Sequence, residues 1–257
     1  MPDSRSLFDL TARTALVTGS TQGLGLTIAR GLAQAGATVV LNGRKADQLA
    51  AAVDQLRSGG LSAHGAAFDV TRSDQITAGL AKLPPALQAF DIVVNNAGIH
   101  RRAPLEKMEE SQWREVIDAN LTSAFLVTRQ IVPAMIARGS GKIINICSLM
   151  SELGRPTTGN YAAAKGGLKM LTRAMATEWS KHNIQINGIG PGYFLTEMTK
   201  PLAEDPVFNQ WICQRTPAGR WGDPAELVGA AIFLASNASS FVSGQILYVD
   251  GGLLAAI

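Results

Sequence analysis

Tyr161 and Lys165 stand four positions apart in the run YAAAK, and Ser148 follows the apolar run KIINIC just upstream. On a helix, positions i and i+4 lie one above the other with Cβ atoms about 5 to 6 Å apart, so this spacing sets an ammonium beneath a phenol. A free tyrosine titrates near 10, and each unit of depression requires about 1.4 kcal/mol of preferential stabilisation of the phenolate. A neighbouring cation supplies such stabilisation. The chemistry on offer is proton transfer by Tyr161; the alternative is a chance pair on a solvated helix face, and the rest of the chain decides between them. Asn120 lies inside a long helical pattern, ANLTSAFLVTRQIVPAMIARG, where an asparagine among apolar neighbours needs a partner. It satisfies a buried backbone group, orders a water near a site, or does both.

These side chains need a frame, and the pattern supplies one. The strand-like TALVT runs into GSTQGLG and then into the amphipathic LTIARGLAQAGA, with glycines at Gly19, Gly23 and Gly25. A helix that opens on close-approaching glycines is an anion site, since its free N–H groups and its dipole point at the ligand. The next strand, TVVLN, ends on Gly43, Arg44 and Lys45, with no acid. An acid near this position holds a ribose 2′-OH, whereas an arginine accommodates a 2′-phosphate. The expectation is therefore NADP(H) rather than NAD(H), with Arg44 on the phosphate; the alternative is a pair of solvated cations opening the next helix.

The βα alternation continues through a strand over 62–68 closed by Asp69-Val70, a helix over 73–83 capped by Ser73, and the buried strand DIVV leading into NNAG. The asparagines of NNAG hold the sheet edge open beside a cofactor, pin neighbouring strands, or do both. Arg101 and Arg102 follow in a loop at the carboxyl edge of the sheet, where ligands gather in such folds. They suit bidentate carboxylate capture or are simply solvated. Ser111 is expected to cap the next helix. Beyond Tyr161 come a long helix over 161–180, a strand over 184–189 and the turn Gly190-Pro191-Gly192. The segment 193–221 then interrupts the alternation with the mixed composition of a lid, ahead of a helix over 224–236 and a last strand over 246–249.

Composition narrows the class further. The 257 residues are 46% hydrophobic and 17% charged, with a net charge of +3 and no basic block. No apolar run approaches the ~20 residues of a membrane span, and the first residues lack a secretory h-region. A cytoplasmic protein of one domain, residues 1–257, is expected, with no nucleic acid or membrane partner. Cys147 and Cys213, like His64, His100 and His182, have no metal-ligand spacing, so no metal is expected. His100 reads as a surface-loop histidine, with substrate contact as the alternative.

Through TGSTQGLG, NNAG, Asn120, Ser148, YAAAK and Pro191-Gly192, in that order, the chain resembles the short-chain dehydrogenase/reductase family over essentially its full length. The resemblance implies an α/β Rossmann-type doubly wound sheet of seven parallel strands with helices on both faces, usually in a homotetramer. It implies that Tyr161 is the acid of reduction and base of oxidation, and that Lys165 lowers its pKa and binds the nicotinamide ribose. Ser148 would donate to the substrate oxygen, and Asn120 would hold a relay water. Gly19, Ser20, Gln22, Gly23, Leu24, Gly25, Asp69, Val70, Asn96, Ala97, Gly98, Pro191, Gly192 and Thr196 would line the cofactor with Arg44, Tyr161 and Lys165. Two positions depart from the common pattern. Ala164 replaces a serine before the lysine, and Gln22 stands where many NADP-dependent members carry a cation.

NNAGIHRR, SELGR, TEMTK and RWGDP make the chain similar to the members of that family that interconvert D-gluconate and 5-keto-D-gluconate. On that basis Arg101, Arg102 and Arg155 are the candidates for the substrate carboxylate, and Glu152, Ser148 and Tyr161 are further substrate contacts. Reduction of a 3-oxoacyl thioester or another keto-sugar is the alternative, and a catalytically silent dinucleotide-binding scaffold is a more distant one.

Overall fold

Short runs of aliphatic and β-branched residues, with no polar alternation, become strands buried on both faces, as a parallel sheet between helix layers requires. The computed structural model describes residues 6–197 and 199–256. Its strands are β1 (Thr14–Val17), β2 (Thr38–Gly43), β3 (Ala63–Ala67), β4 (Ile92–Asn95), β5 (Gly141–Ile146), β6 (Ile184–Pro191) and β7 (Ile246–Val249). All pair in parallel, in the order β3-β2-β1-β4-β5-β6-β7. The order reverses between β1 and β4, the switch point at which open α/β sheets bind ligands. The expected seven-stranded doubly wound architecture is the one found.

The helices are α1 (Gly23–Gln34), α2 (Ala46–Ser58), α3 (Ser73–Ala81), α4 (Glu110–Ile117), α5 (Ser123–Arg138), α6 (Gly159–Trp179), α7 (Lys200–Ala203), α8 (Pro206–Arg215) and α9 (Val228–Ala235). Successive strand residues point to opposite faces, so Val39 and Leu41 join one core with Ile28, Leu32, Leu49 and Leu234. Val40 joins the other with Ile76, Ile131, Met135 and Met175. Truncating a fully buried member such as Ile144 to alanine is expected to cost about 2–5 kcal/mol of stability.

Three local expectations change. Ser73 is the first residue of α3, behind Arg72 at the N-cap, and makes no capping bond. Ser111 lies inside α4, where Glu109 takes the N-cap and its N–H donates to the Gln112 side chain at 3.3 Å. The long helix expected around Asn120 is broken into α4 and α5 by a π turn over Asp118–Thr122. Of the expected lid, Met198 lies outside the described residues; the rest carries α7 and α8, and a bridge between Phe194 and Gly222 closes its base.

Candidate active site

Ser148 sits where β5 ends, in extended backbone, and opens a single 3₁₀ turn, Leu149–Ser151. Its Oγ accepts from the Met150 N–H at 3.2 Å. The Ser151 hydroxyl accepts from the Ser148 N–H at 3.3 Å and donates to the Lys165 carbonyl at 3.0 Å, which fixes the strand end against α6. Tyr161 is held from the other side. The buried Asn160 accepts from the Tyr161 N–H at 2.8 Å and donates to the Arg101 carbonyl at 3.1 Å. The start of α6 is thereby tied to the loop after β4. The Ser148 hydroxyl is near enough to favour ionisation of the Tyr161 phenol, so sequence-distant residues meet at one point.

Lys165 is buried, and its Nζ donates to the Ile146 carbonyl at 2.6 Å while lying 5.5 Å from the centroid of the Tyr161 ring. Burial brings the ammonium down to about 8. For Tyr161, burial outweighs the effect of Ser148 and raises the phenol above its ordinary range. The net direction is therefore set by desolvation, and the Lys165 ammonium makes its short contact with the Ile146 carbonyl rather than with the phenol.

Asn120 satisfies buried backbone groups, the first of the two roles open to it. The π turn, a helix irregularity common at functional sites, lets its Nδ2 donate to the Ile99 and Val116 carbonyls, each at 2.9 Å. Its Oδ1 is buried without a partner among the described residues. A Cβ at Gly98 would collide with that oxygen, so glycine is required there for Asn120 to face the loop after β4.

At the nucleotide end, Gly19 turns the chain at φ +59°, a conformation open mainly to glycine. No side chain caps α1, and the space above Gly23, where a Cβ would stand, is open. Gly25 cannot carry a Cβ because Asn96 passes beside it to donate to the Thr18 and Gly19 carbonyls, both at 2.9 Å. The exposed Arg44 guanidinium stands 3.8 Å from the Asp69 carboxylate. Burial opposes the ionisation of Asp69, but hydrogen bonds from Thr71 and the charges of Arg44 and Arg72 prevail and hold it below the usual range. Uncapped amides, open space and an exposed guanidinium fit a phosphorylated dinucleotide. Val70, Ala97, Pro191 and Gly192 lie at the same carboxyl edge of the sheet, with exposed Gln22 and half-buried Leu24 on the turn. The Ser20 hydroxyl is turned inward, donating to the Val17 carbonyl at 2.7 Å and accepting from the Asn42 N–H at 3.1 Å. The Thr196 hydroxyl pairs with Thr199 at 3.0 Å. Asn95 is a pin between strands, donating to Asn145 at 2.8 Å.

The expected carboxylate residues separate. Arg101 pairs with Glu115 at 2.9 Å on the exposed surface. Glu152 is taken up by Lys169 and by the Tyr248 hydroxyl, which donates to it at 2.6 Å, so its place in the structure is a polar link to β7. Arg102 and Arg155 instead lie close enough that Arg155, after partial burial, holds Arg102 below the usual guanidinium range. Their loops are joined where the Ala103 N–H donates to the carbonyl of Thr157, itself at φ +69°. Neither has a carboxylate partner among the described residues. Arg155 donates to the Tyr193 hydroxyl at 3.2 Å and stacks 4.6 Å over Phe208, anchoring the aromatic lid of Tyr193, Phe208, Trp211 and Trp221.

His100 belongs to the site although nothing in its local sequence requires it. It is half-buried rather than a surface-loop residue, and its ring stacks on Tyr161 with centroids 3.8 Å apart and planes 24° from parallel. Burial first, then the charges of Arg102, Lys165 and Arg155, lower the imidazole to about 4. Its place directly before Arg101 and Arg102 was the available signal.

A family model described as short chain dehydrogenase matches residues 13–207. The chain is 53% identical over 256 residues to a 2-dehydro-3-deoxy-D-gluconate 5-dehydrogenase of Formosa agariphila, covering 99% of this chain and 97% of that protein. It is 51% identical over 251 residues to a gluconate 5-dehydrogenase of Gluconobacter oxydans, covering 98% of each. A crystal structure of a gluconate 5-dehydrogenase from Burkholderia cenocepacia, in complex with NADP and tartrate, superposes with a TM-score of 0.96 at 50% identity. That match covers 99% of this chain and 100% of the other.

Proposed function

The chain belongs to the short-chain dehydrogenase family, and from that premise we propose that it reduces 5-keto-D-gluconate at C5, or oxidises D-gluconate there, with NADP(H). The observation that carries this reading is the Arg102–Arg155 pair, two cations without a carboxylate partner among the described residues, whose charges reach the histidine that stacks on Tyr161. A sugar acid offers the missing anion and places its chain toward the phenol.

The glycine turn, Arg44, Asp69, Val70, Asn96 to Gly98, Pro191, Gly192 and Thr196 would hold NADP(H), which supplies the hydride when bound. The protein's own residues handle the proton and the developing charge. Tyr161 keeps its phenolic proton because burial raises it, which suits an acid in the reductive direction. Ser148 shares the carbonyl oxygen with it, and donors preorganised on an oxyanion stabilise it without reorganisation. Lys165, charged below about pH 8, lies beside the phenolate left behind. Asn120 Oδ1 is the acceptor left for a relay water that returns the proton. The segment 193–221 serves as the lid. The working form is read as a cytoplasmic homotetramer, for which exposed Phe125, Met170 and Leu247 offer apolar surface; a monomeric mass by light scattering would remove that part.

The F. agariphila relative favours a second substrate of the same class, 2-dehydro-3-deoxy-D-gluconate. A panel of both sugar acids, a neutral ketone and acetoacetyl thioester, assayed with each nicotinamide cofactor, separates the readings. The highest kcat/KM is expected for 5-ketogluconate with NADPH. Preference for the thioester overturns the sugar-acid assignment, equal or better efficiency with NADH overturns the cofactor assignment, and any turnover excludes a silent scaffold.

A further inference from the structure

We propose that His100 is a positioning residue: its imidazole, stacked on the ring of Tyr161, fixes the plane of the phenol and keeps water off one of its faces. The inference rests on the assignment of Tyr161 as proton donor. Ring centroids 3.8 Å apart with planes 24° from parallel are a close face-to-face contact, far closer than Lys165 Nζ, which stands 5.5 Å from the centroid of the same ring. Asn160 holds the Tyr161 main chain, and Ser148 acts at the hydroxyl end of the ring. The His100 Nδ1 is buried with no partner among the described residues, so packing rather than a hydrogen bond from that nitrogen keeps the ring in place.

The contact is one between two neutral rings. Burial and the three cations around it bring the imidazole to about 4, so no charge is present on it in the neutral range. Its influence on Tyr161 is therefore steric and desolvating. The charged or titratable groups that remain around the phenol are Lys165 one turn along α6, Cys147 at the end of β5, and Arg102 and Arg155 in the two loops beyond His100.

His100→Ala removes the covering ring and His100→Phe restores a ring without nitrogens. In His100→Ala, kcat for 5-ketogluconate reduction is expected to fall about two- to tenfold, the scale of one aromatic pair, with KM for NADPH within about twofold of the parent. Because burial is what raises the phenol, opening one face to water should move the alkaline limb of the pH–rate profile to lower pH. His100→Phe should recover both the rate and the limb to within about twofold and a few tenths of a pH unit. Melting temperatures of both variants report any general loss of fold.

The proposal is overturned if His100→Ala leaves kcat and the limb where the parent has them. It is equally overturned if His100→Phe is displaced as far as His100→Ala. Tyr161→Phe, run alongside, keeps the two readings apart: turnover surviving there removes the proton donor itself, whereas its loss together with an unchanged His100→Ala removes only the stack.

Discussion

Around Ser148, Tyr161, Lys165 and Asn120 the polar groups are fastened largely to main-chain atoms of the sheet and its helices, with N–H and carbonyl partners of Met150, Ile146, Ile99 and Val116. At the lid the pattern is different. Arg155, Tyr193, Phe208, Trp211 and Trp221 hold one another through ring faces, ring edges and one guanidinium. Main-chain anchoring ties a side chain to secondary structure that cannot shift without losing its ladder. Side-chain anchoring can repack around a different guest with little loss of backbone hydrogen bonding. On the proposed reading the contrast divides labour: the groups assigned to the proton are built into the core, and those assigned to recognition onto its edge.

Substitutions on either side sharpen or break that division. The largest effect is expected from Tyr161→Phe, which removes one preorganised donor and should lower kcat about 10²- to 10³-fold, with NADPH affinity near the parent value in a fluorescence titration. A rate within tenfold of the parent would place the acid elsewhere. Next in size is Arg102→Ala. A hydrogen bond to a charged group contributes about 1.5–3 kcal/mol, so KM for 5-ketogluconate should rise about ten- to a hundredfold. The constant for a neutral ketone should hold; equal movement of both would show that Arg102 does not read the carboxylate. The smallest effect belongs to Arg101→Ala. Its partner Glu115 is exposed, exposed ion pairs contribute about 0–1 kcal/mol, and steady-state constants within about twofold are expected. A tenfold rise in KM would return Arg101 to the substrate.

The core side of this contrast was legible in the sequence and the edge was not. Buried parallel strands write themselves as TALV and IVVN, and a glycine turn must precede a phosphate-binding helix, so the order of elements and the Ser148, Tyr161 and Lys165 cluster follow from local pattern. Glu152, Arg101 and His100 depend on which loop faces which. Nothing near Glu152 in the chain announces Tyr248 or Lys169, and nothing near His100 announces the Tyr161 ring. The net direction of the Tyr161 shift was hidden for a related reason. The i,i+4 spacing told of a nearby cation but not of the Ile146 carbonyl that takes its hydrogen bond, nor of the desolvation around both groups.

The π turn at Asp118–Thr122 amounts to one surplus residue wound into a helix that would otherwise run from α4 into α5 without a break. Removing a single residue there would let the regular ladder close, a change that improves the helix by every local measure. Yet each residue advances an α-helix by about 100°, so the same deletion would swing α4 and the Asn120 side chain out of phase with Ile99. In this chain the flaw in the helix is inherited information, and the edit that tidies it would erase it.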